Sequence, residues 1–227
     1  VKKLLLSLAG LVLLSLPATT LADTLTFQAP ATAANEGEGG ARQFDLDHHR
    51  AYAWRIDNVN LAGKTITGAT LTFSNIRNWD ANANRLFIHL LDTARQAGVS
   101  SFADATGTPV PISQIQDNFD GALYNSNPLV NPGTGNTLLT SRSFSTTPVN
   151  FVYTFTAAQI QVLSAYFANG QNIAFGFDPD CHFWNNGITF QIQTTPNNVP
   201  EPTTLALLGT GVAGFIIKRR RKKNAAA

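Results

Sequence analysis

Between residues 23 and 196, short stretches of alternating apolar and polar side chains recur along the chain. In RAYAWRI, Tyr52, Trp54 and Ile56 fall on one face of an extended segment and Ala51, Ala53 and Arg55 on the other. VNFVYTF repeats the arrangement with Val149, Phe151, Tyr153 and Phe155. GITFQIQ sets Ile188, Phe190 and Ile192 against Thr189, Gln191 and Gln193. Successive strand side chains point to opposite faces, so this period of two predicts antiparallel strands with one face in a core. RLFIHLLD is apolar on both faces, which predicts a strand in the middle of the structure. TLTFQ, ATLTFSNI and NIAFGF bring the set to about seven strands, with Gly, Asn and Pro between them. The pattern predicts an all-β fold, an antiparallel jelly-roll-like β-sandwich.

One short helix interrupts it. TFTAAQIQVLSAYFANG offers Thr156 as N-cap, apolar Ile160, Leu163 and Phe167 at helical spacing, and Asn169-Gly170 as a stop. Such a helix is expected to cover one end or edge of the sandwich. From Gln96 to Ser145 the pattern is weak. A connection of that length is uncommon without structure of its own, so a short helix is expected near Ser113 to Asp117 and a strand around Leu138 to Phe144.

The two ends differ from this body. Residues 1–22 begin with Lys2 and Lys3, run apolar from Leu4 to Leu16, and end on Pro17 and small residues. That is the layout of a secretory signal peptide, and it predicts an exported protein. At the other end, NNVPEPTTLALLGTGVAGFIIKRRRKKNAAA spans residues 197–227. Pro200 and Pro202 separate an apolar run from the domain before it. Counted from Thr203 to Ile217, a helix there reaches about 22 Å, short of a hydrocarbon core near 30 Å. Gly209, Gly211 and Gly214 weaken it further. The basic cluster Lys218, Arg219, Arg220, Arg221, Lys222 and Lys223 is expected to stay cytoplasmic. The segment reads as a transmembrane helix that stops transfer but anchors poorly.

Val199, Pro200, Glu201 and Pro202, the short Gly-containing apolar helix and the Arg-rich end together resemble the PEP-CTERM protein-sorting signal of Gram-negative bacteria. The same kind of segment is also called an ice-binding protein C-terminal domain, a label that implies no ice binding. The resemblance implies an exosortase as sorting partner and an inner-membrane intermediate. Processing and delivery to the cell surface or extracellular matrix follow. The domains predicted are thus a signal peptide (1–22), a β-sandwich (23–196) and a sorting signal (197–227).

With both ends set aside, the charge changes sign. The whole chain is +2, but residues 23–199 hold 8 lysines and arginines against 13 aspartates and glutamates, a net of −5. A mildly acidic domain does not suit phosphate contacts, so no nucleic-acid partner is expected. The single Cys181 has no partner for an intramolecular disulfide.

Two segments share the spacing Asp-x-Asp-x-His: Asp45, Asp47 and His49, then Asp178, Asp180 and His182. In an extended chain that spacing places three polar groups on one face. If early and late strands are neighbours, the segments are a candidate metal site. The carboxylates suit a structural Ca²⁺, and His49, His182 and Cys181 suit Zn²⁺. Two solvated acidic turns are the alternative, and Pro179 already argues against a regular strand at the second. Trp79, Tyr124 and Trp184 each sit beside Asn or Asp in polar stretches. They are candidate glycan-stacking residues, or rings that plug the open ends of the sandwich.

Catalytic motifs are lacking: there is no G-x-S-x-G elbow, H-E-x-x-H pair or phosphate-binding glycine loop. His89 lies in an apolar strand and reads as a satisfied histidine, and Asp117 and Asp120 in QDNFDG read as turn residues. The function expected is an exported, non-catalytic surface or matrix protein associated with exopolysaccharide. A carbohydrate-binding module is the alternative, and a glycan-active hydrolase a more distant one.

Overall fold

The computed structural model describes residues 22–30, 44–47, 50–103, 116–170, 172–197 and 209–211. The chain divides into two compact units, Val1–Thr195 and Pro196–Ala227. In the second, residues 209–211 are helical. Among the described residues no helix is long and apolar enough to cross a membrane. The expected signal peptide (apart from Ala22) and most of the expected transmembrane helix lie outside the described residues.

The first unit is an antiparallel two-sheet β-sandwich, as the alternation predicts. Its elements are β1 (Asp23–Gln28), β2 (Phe44–Leu46), β3 (Arg50–Ile56), β4 (Lys64–Asn78), β5 (Leu86–Leu91), β6 (Gly98–Ala103), α1 (Gly121–Ser126), β7 (Asn136–Arg142), β8 (Val149–Thr154), α2 (Ala157–Gly170), β9 (Ile173–Pro179), β10 (Phe183–Asn185) and β11 (Ile188–Pro196). One sheet has the order β1-β11-β4-β10-β2, with β8 on β4; the other runs β6-β3-β9-β5-β7. β10 and β11 are successive stretches along β4, joined through Asn186 and Gly187. Their backbones exchange hydrogen bonds with Ser74 at 2.7 and 3.0 Å. β2 pairs with β10 and β1 with β11 in the same way.

The inward residues of both sheets meet in one aromatic-rich core, with Phe73, Phe175, Phe177, Phe183 and Phe190 fully buried. The Phe175 and Phe190 rings meet edge to face at 4.8 Å, a favoured aromatic geometry. On β11 the predicted set Ile188, Phe190 and Ile192 faces inward. On β8 Phe151 does so, but Val149 is exposed, because β8 is an edge strand whose register with β4 shifts between Phe73 and Ile76.

Among the described residues of this unit there are two helices, one where TFTAAQIQVLSAYFANG predicts it and one displaced from the short helix expected near Ser113–Asp117. α2 links β8 to β9, buries Leu163 and Phe167, and packs against β4 and β9. Its start is a capping box: Gln159 N donates to Thr156 Oγ1 at 3.3 Å, and Thr156 N to Gln159 Oε1 at 2.9 Å. α1 lies further along than the helix expected at Ser113–Asp117. Ser113 to Ile115 fall outside the described residues and Asp117 is not helical. The helix begins instead where Asp120 Oδ1 accepts from Gly121 N at 2.7 Å.

α1 and its flanking loops form a layer on the outer face of the five-stranded sheet. Ala51, Ala53, Leu91 and Ala174 of that face are buried against Phe119, Tyr124, Leu129 and Val130. Gly176 lets this layer approach, because a Cβ there would lie 2.9 Å from the Phe119 ring.

Candidate functional site

The pairing of β2 with β10 and β10 with β4 builds an outward-facing array. Leu46, Phe183 and Asn78 are in register and point inward, all buried. Their neighbours therefore point outward. Asp45 stands opposite Trp184, which stands opposite Arg77. One step along, Asp47 meets His182, and Trp79 N donates to the His182 carbonyl at 3.1 Å. Two rows result: Asp45–Trp184–Arg77 and Asp47–His182–Trp79.

The groups are tied to one another. His182 Nδ1 is 3.3 Å from Asp45 Oδ1, and Nε2 is 3.4 Å from Asp47 Oδ1. The hydrogen bond to Asp45 holds the His182 imidazole above its ordinary pKa, against the opposing effect of burial. Arg77 lies over the Trp184 ring at 4.9 Å, and the Trp79 and His182 rings lie 6.0 Å apart. Trp79 is 52% exposed, the largest exposure of any aromatic ring among the described residues. Tyr52 fixes the end of β2 from below: its hydroxyl accepts from Asp47 N at 3.0 Å, and burial pushes its pKa up to about 12.

Half of the paired Asp-x-Asp-x-His motif thus comes together: Asp45, Asp47 and His182. The rest does not join them. Asp178 is 2% exposed on the outer face of the other sheet, where its Oδ2 accepts from Asn118 N and Nδ2 at 2.5 and 3.1 Å. Asp180 Oδ1 accepts from Arg85 N at 2.5 Å, and burial pushes its carboxyl up to about 6. β9 carries Asp178 into one sheet, and the chain has crossed to the other by β10, so the motif straddles the crossover. His49 lies outside the described residues. Among the described residues no group of three or more His, Cys, Asp or Glu is placed to hold a metal ion. Cys181 is half-buried, with its thiol pushed up by burial.

The three candidate stacking aromatics also divide. Trp79 and Trp184 share the outward face. Tyr124 does not: it belongs to the buried layer, 5% exposed, with its hydroxyl 2.7 Å from Thr134 Oγ1. It is packed in the layer over the outer face of the five-stranded sheet and neither faces solvent nor plugs an end of the sandwich. Arg77 and Tyr52 escaped sequence reasoning. The alternation of Arg77 with inward Ile76 and Asn78 is obscured by Asn75, whose φ of 50° marks the irregularity in β4.

His89 is a satisfied histidine, 1% exposed beneath Phe119. Nε2 lies 2.7 Å from Asp117 Oδ2 and Nδ1 2.7 Å from Asn136 Oδ1. Asn136 Nδ2 in turn donates to the Phe119 carbonyl. Asp117 Oδ1 accepts from Phe119 N and Asp120 caps α1, so the two carboxylates serve the turn and the helix. The cluster clamps the covering layer to the sheet and leaves no ring nitrogen facing solvent.

No curated protein and no solved structure matches the chain. The family model for the PEP-CTERM protein-sorting motif matches residues 198–222. That span includes Val199, Pro200, Glu201, Pro202 and the basic residues Lys218 to Lys222, with Lys223 one position beyond; all lie outside the described residues. The chain carries a PEP-CTERM protein-sorting motif, the mark of an exported protein sorted by an exosortase.

Proposed function

We propose that this is a non-catalytic surface protein whose sandwich holds exopolysaccharide on the outer face of β2, β10 and β4. In this reading residues 1–22 are removed on export. The apolar run before Lys218 holds the chain in the inner membrane until the exosortase acts, and the released protein joins the extracellular matrix. Successive strands alternate between the sheets from β1/β2 through β3, β4 and β5 and again from β7 through β8, β9 and β10/β11, interrupted where β5, β6 and β7 all lie in the five-stranded sheet, and this supports a jelly-roll-like connectivity.

The observation that carries the reading is the outward array. Trp79 and Trp184 supply apolar ring faces for the C–H face of a sugar, and Asp45, Asp47, Arg77 and His182 supply hydrogen-bond partners for hydroxyls beside them. The outer face of the other sheet is already covered by the α1 layer.

The test is co-sedimentation of the processed protein with exopolysaccharide from the same cells. Trp79→Ala is expected to weaken association about tenfold, the loss of about 1.4 kcal/mol that truncating one stacked anchor brings. Replacing Pro200, Glu201 and Pro202 with alanine should leave the protein in the inner membrane with the sandwich folded. Unchanged association in both Trp79→Ala and Trp184→Ala would refute the binding face, and normal surface delivery of the triple variant would refute the sorting route.

A further inference from the structure

Resting on that reading, we infer that Asp80, Asn84 and Cys181 are positioning residues for Trp79, holding the exposed indole in one orientation before a polymer arrives. Trp79 lies one residue past the end of β4, with a last rung from its N–H to the His182 carbonyl at 3.1 Å. Trp184, by contrast, stands within β10 between β2 and β4. A large side chain just beyond a strand end is free to turn, and fixing it at the moment of binding costs affinity. The loop that follows Trp79 removes that freedom.

In NWDANANR, residues 78–85, the polar side chains turn back on their own loop. Asp80 Oδ1 accepts from Asn82 N at 3.0 Å and from Asn84 Nδ2 at 2.8 Å, and Oδ2 accepts from Asn82 Nδ2 at 2.5 Å. Asn84 is buried, and its Nδ2 also donates to Asn78 Oδ1 at 2.9 Å. Asn78, buried at the end of β4, donates from Nδ2 to the Asn82 carbonyl at 2.8 Å. Acceptors on both sides of Asn84 Nδ2, and a carbonyl before Asn78 Nδ2, leave one orientation for each amide. Buried amides are costly unless paired, so the loop holds its shape as a unit. Its far end is closed by Arg85, whose N donates to Asp180 Oδ1 at 2.5 Å and whose carbonyl accepts from Asp180 N at 3.0 Å. Asp180 leads into Cys181, and the thiol of Cys181 accepts a hydrogen bond from the Trp79 indole. Indole has a single donor, Nε1–H, so that bond fixes which edge of the ring turns toward the protein. The ring is thus held by its backbone rung, by its N–H and by the braced residue after it, while its exposed surface stays open.

The test follows ring order and binding together in the processed protein released from the cell surface, made with isotope-labelled tryptophan for NMR. Of the three indole N–H signals, the one lost in Trp79→Ala belongs to Trp79. Its order parameter is expected at about 0.85 in the parent and below about 0.6 in Asp80→Ala and in Cys181→Ala. Both variants should also co-sediment about threefold to tenfold more weakly with exopolysaccharide from the same cells, because a side chain left free must then be immobilised on binding. Asp80→Asn and Cys181→Ser keep an acceptor at each place and should restore both order and association. A role in stability alone would lower Tm without weakening association of the folded protein. An ordered indole in both alanine variants overturns the positioning. So does a mobile indole with undiminished association, and neither result touches the stacking reading, which Trp79→Ala and Trp184→Ala decide. Unchanged association in Trp79→Ala overturns it too, because no stacking is then left for the orientation to serve. If Asp80→Ala does not fold, Cys181→Ala carries the test, since it removes one sulfur atom and leaves the Asp80 network untouched.

Discussion

Replacing Gly176 with alanine would put a Cβ 2.9 Å from Cγ, Cδ1 and Cδ2 of Phe119, closer than real Cβ contacts come. The ring has little room to yield. It is fully buried, its backbone N–H is held by Asp117 Oδ1 at 3.0 Å, and its carbonyl accepts from Asn136. Gly176 is not among the glycines with positive φ, so alanine adds no backbone strain and the cost is steric. Overpacking of this kind costs about 1–3 kcal/mol, offset by about 0.4–1 kcal/mol from a stiffer unfolded chain. At about 2–4 °C per kcal/mol for a domain of this size, the net effect is a fall in Tm of roughly 5 °C, read by scanning calorimetry. Phe119→Leu in the Gly176→Ala background should cost less than Phe119→Leu alone, because the smaller side chain relieves the clash. A Tm within about 1 °C of the parent, or strictly additive costs, would refute the flush packing of ring on sheet.

Two further outcomes follow from the charged groups. The His182 pKa is raised in the fold, so its contribution is complete below the unfolded value of 6.5 and is lost as pH rises through the folded pKa; His182→Gln should flatten melting curves above pH 6.5. Asp180, raised by burial from 3.8 to about 6, lowers stability over that interval as pH rises; Asp180→Asn should flatten the slope between about pH 4 and 6. Chelator should leave the melting temperature unchanged, because Asp178 is committed to Asn118 and Asp180 to Arg85; a loss reversed by Ca²⁺ would show that the carboxylates rearrange around an ion.

What the sequence discloses depends on whether the deciding partner is near in the chain. GITFQIQ is legible because only one face of β11 meets the core. The start of α2 is legible because Thr156 and Gln159 are three residues apart. RAYAWRI is half legible. Tyr52 and Trp54 enter the core as read, but Ala51 and Ala53 are buried too, under a layer contributed by residues 116–135. A signal for that layer exists in hindsight: small Ala51, Ala53, Ala174 and Gly176 repeat on one outward face, where solvated strands carry larger polar groups. Tyr124 misleads because its polar neighbours in sequence are not its neighbours in space. The paired Asp-x-Asp-x-His spacing points to six residues as a candidate metal site, of which Asp45, Asp47 and His182 meet; the divergence of Asp178 depends on where the chain crosses between sheets, which Asp-x-Asp spacing does not encode.

Asp23 stands opposite Thr194, so the sandwich begins and ends side by side at one end of the six-stranded sheet. β11 then runs from that end toward Trp184 on β10, and its nine residues cover about 30 Å. If the C-terminal side of β11 is held while a polymer pulls on Trp184, tension passes along a single ribbon bonded on both edges, by β1 on one and β4 on the other. Both points lie on one continuous stretch of chain, so its covalent backbone carries the tension and the ladders to β1 and β4 hold it in register without bearing the load. If a polymer is bound there, the stiff axis is the line between the C-terminal end of β11 and Trp184, set by the covalent chain and kept straight by the register with β1 and β4.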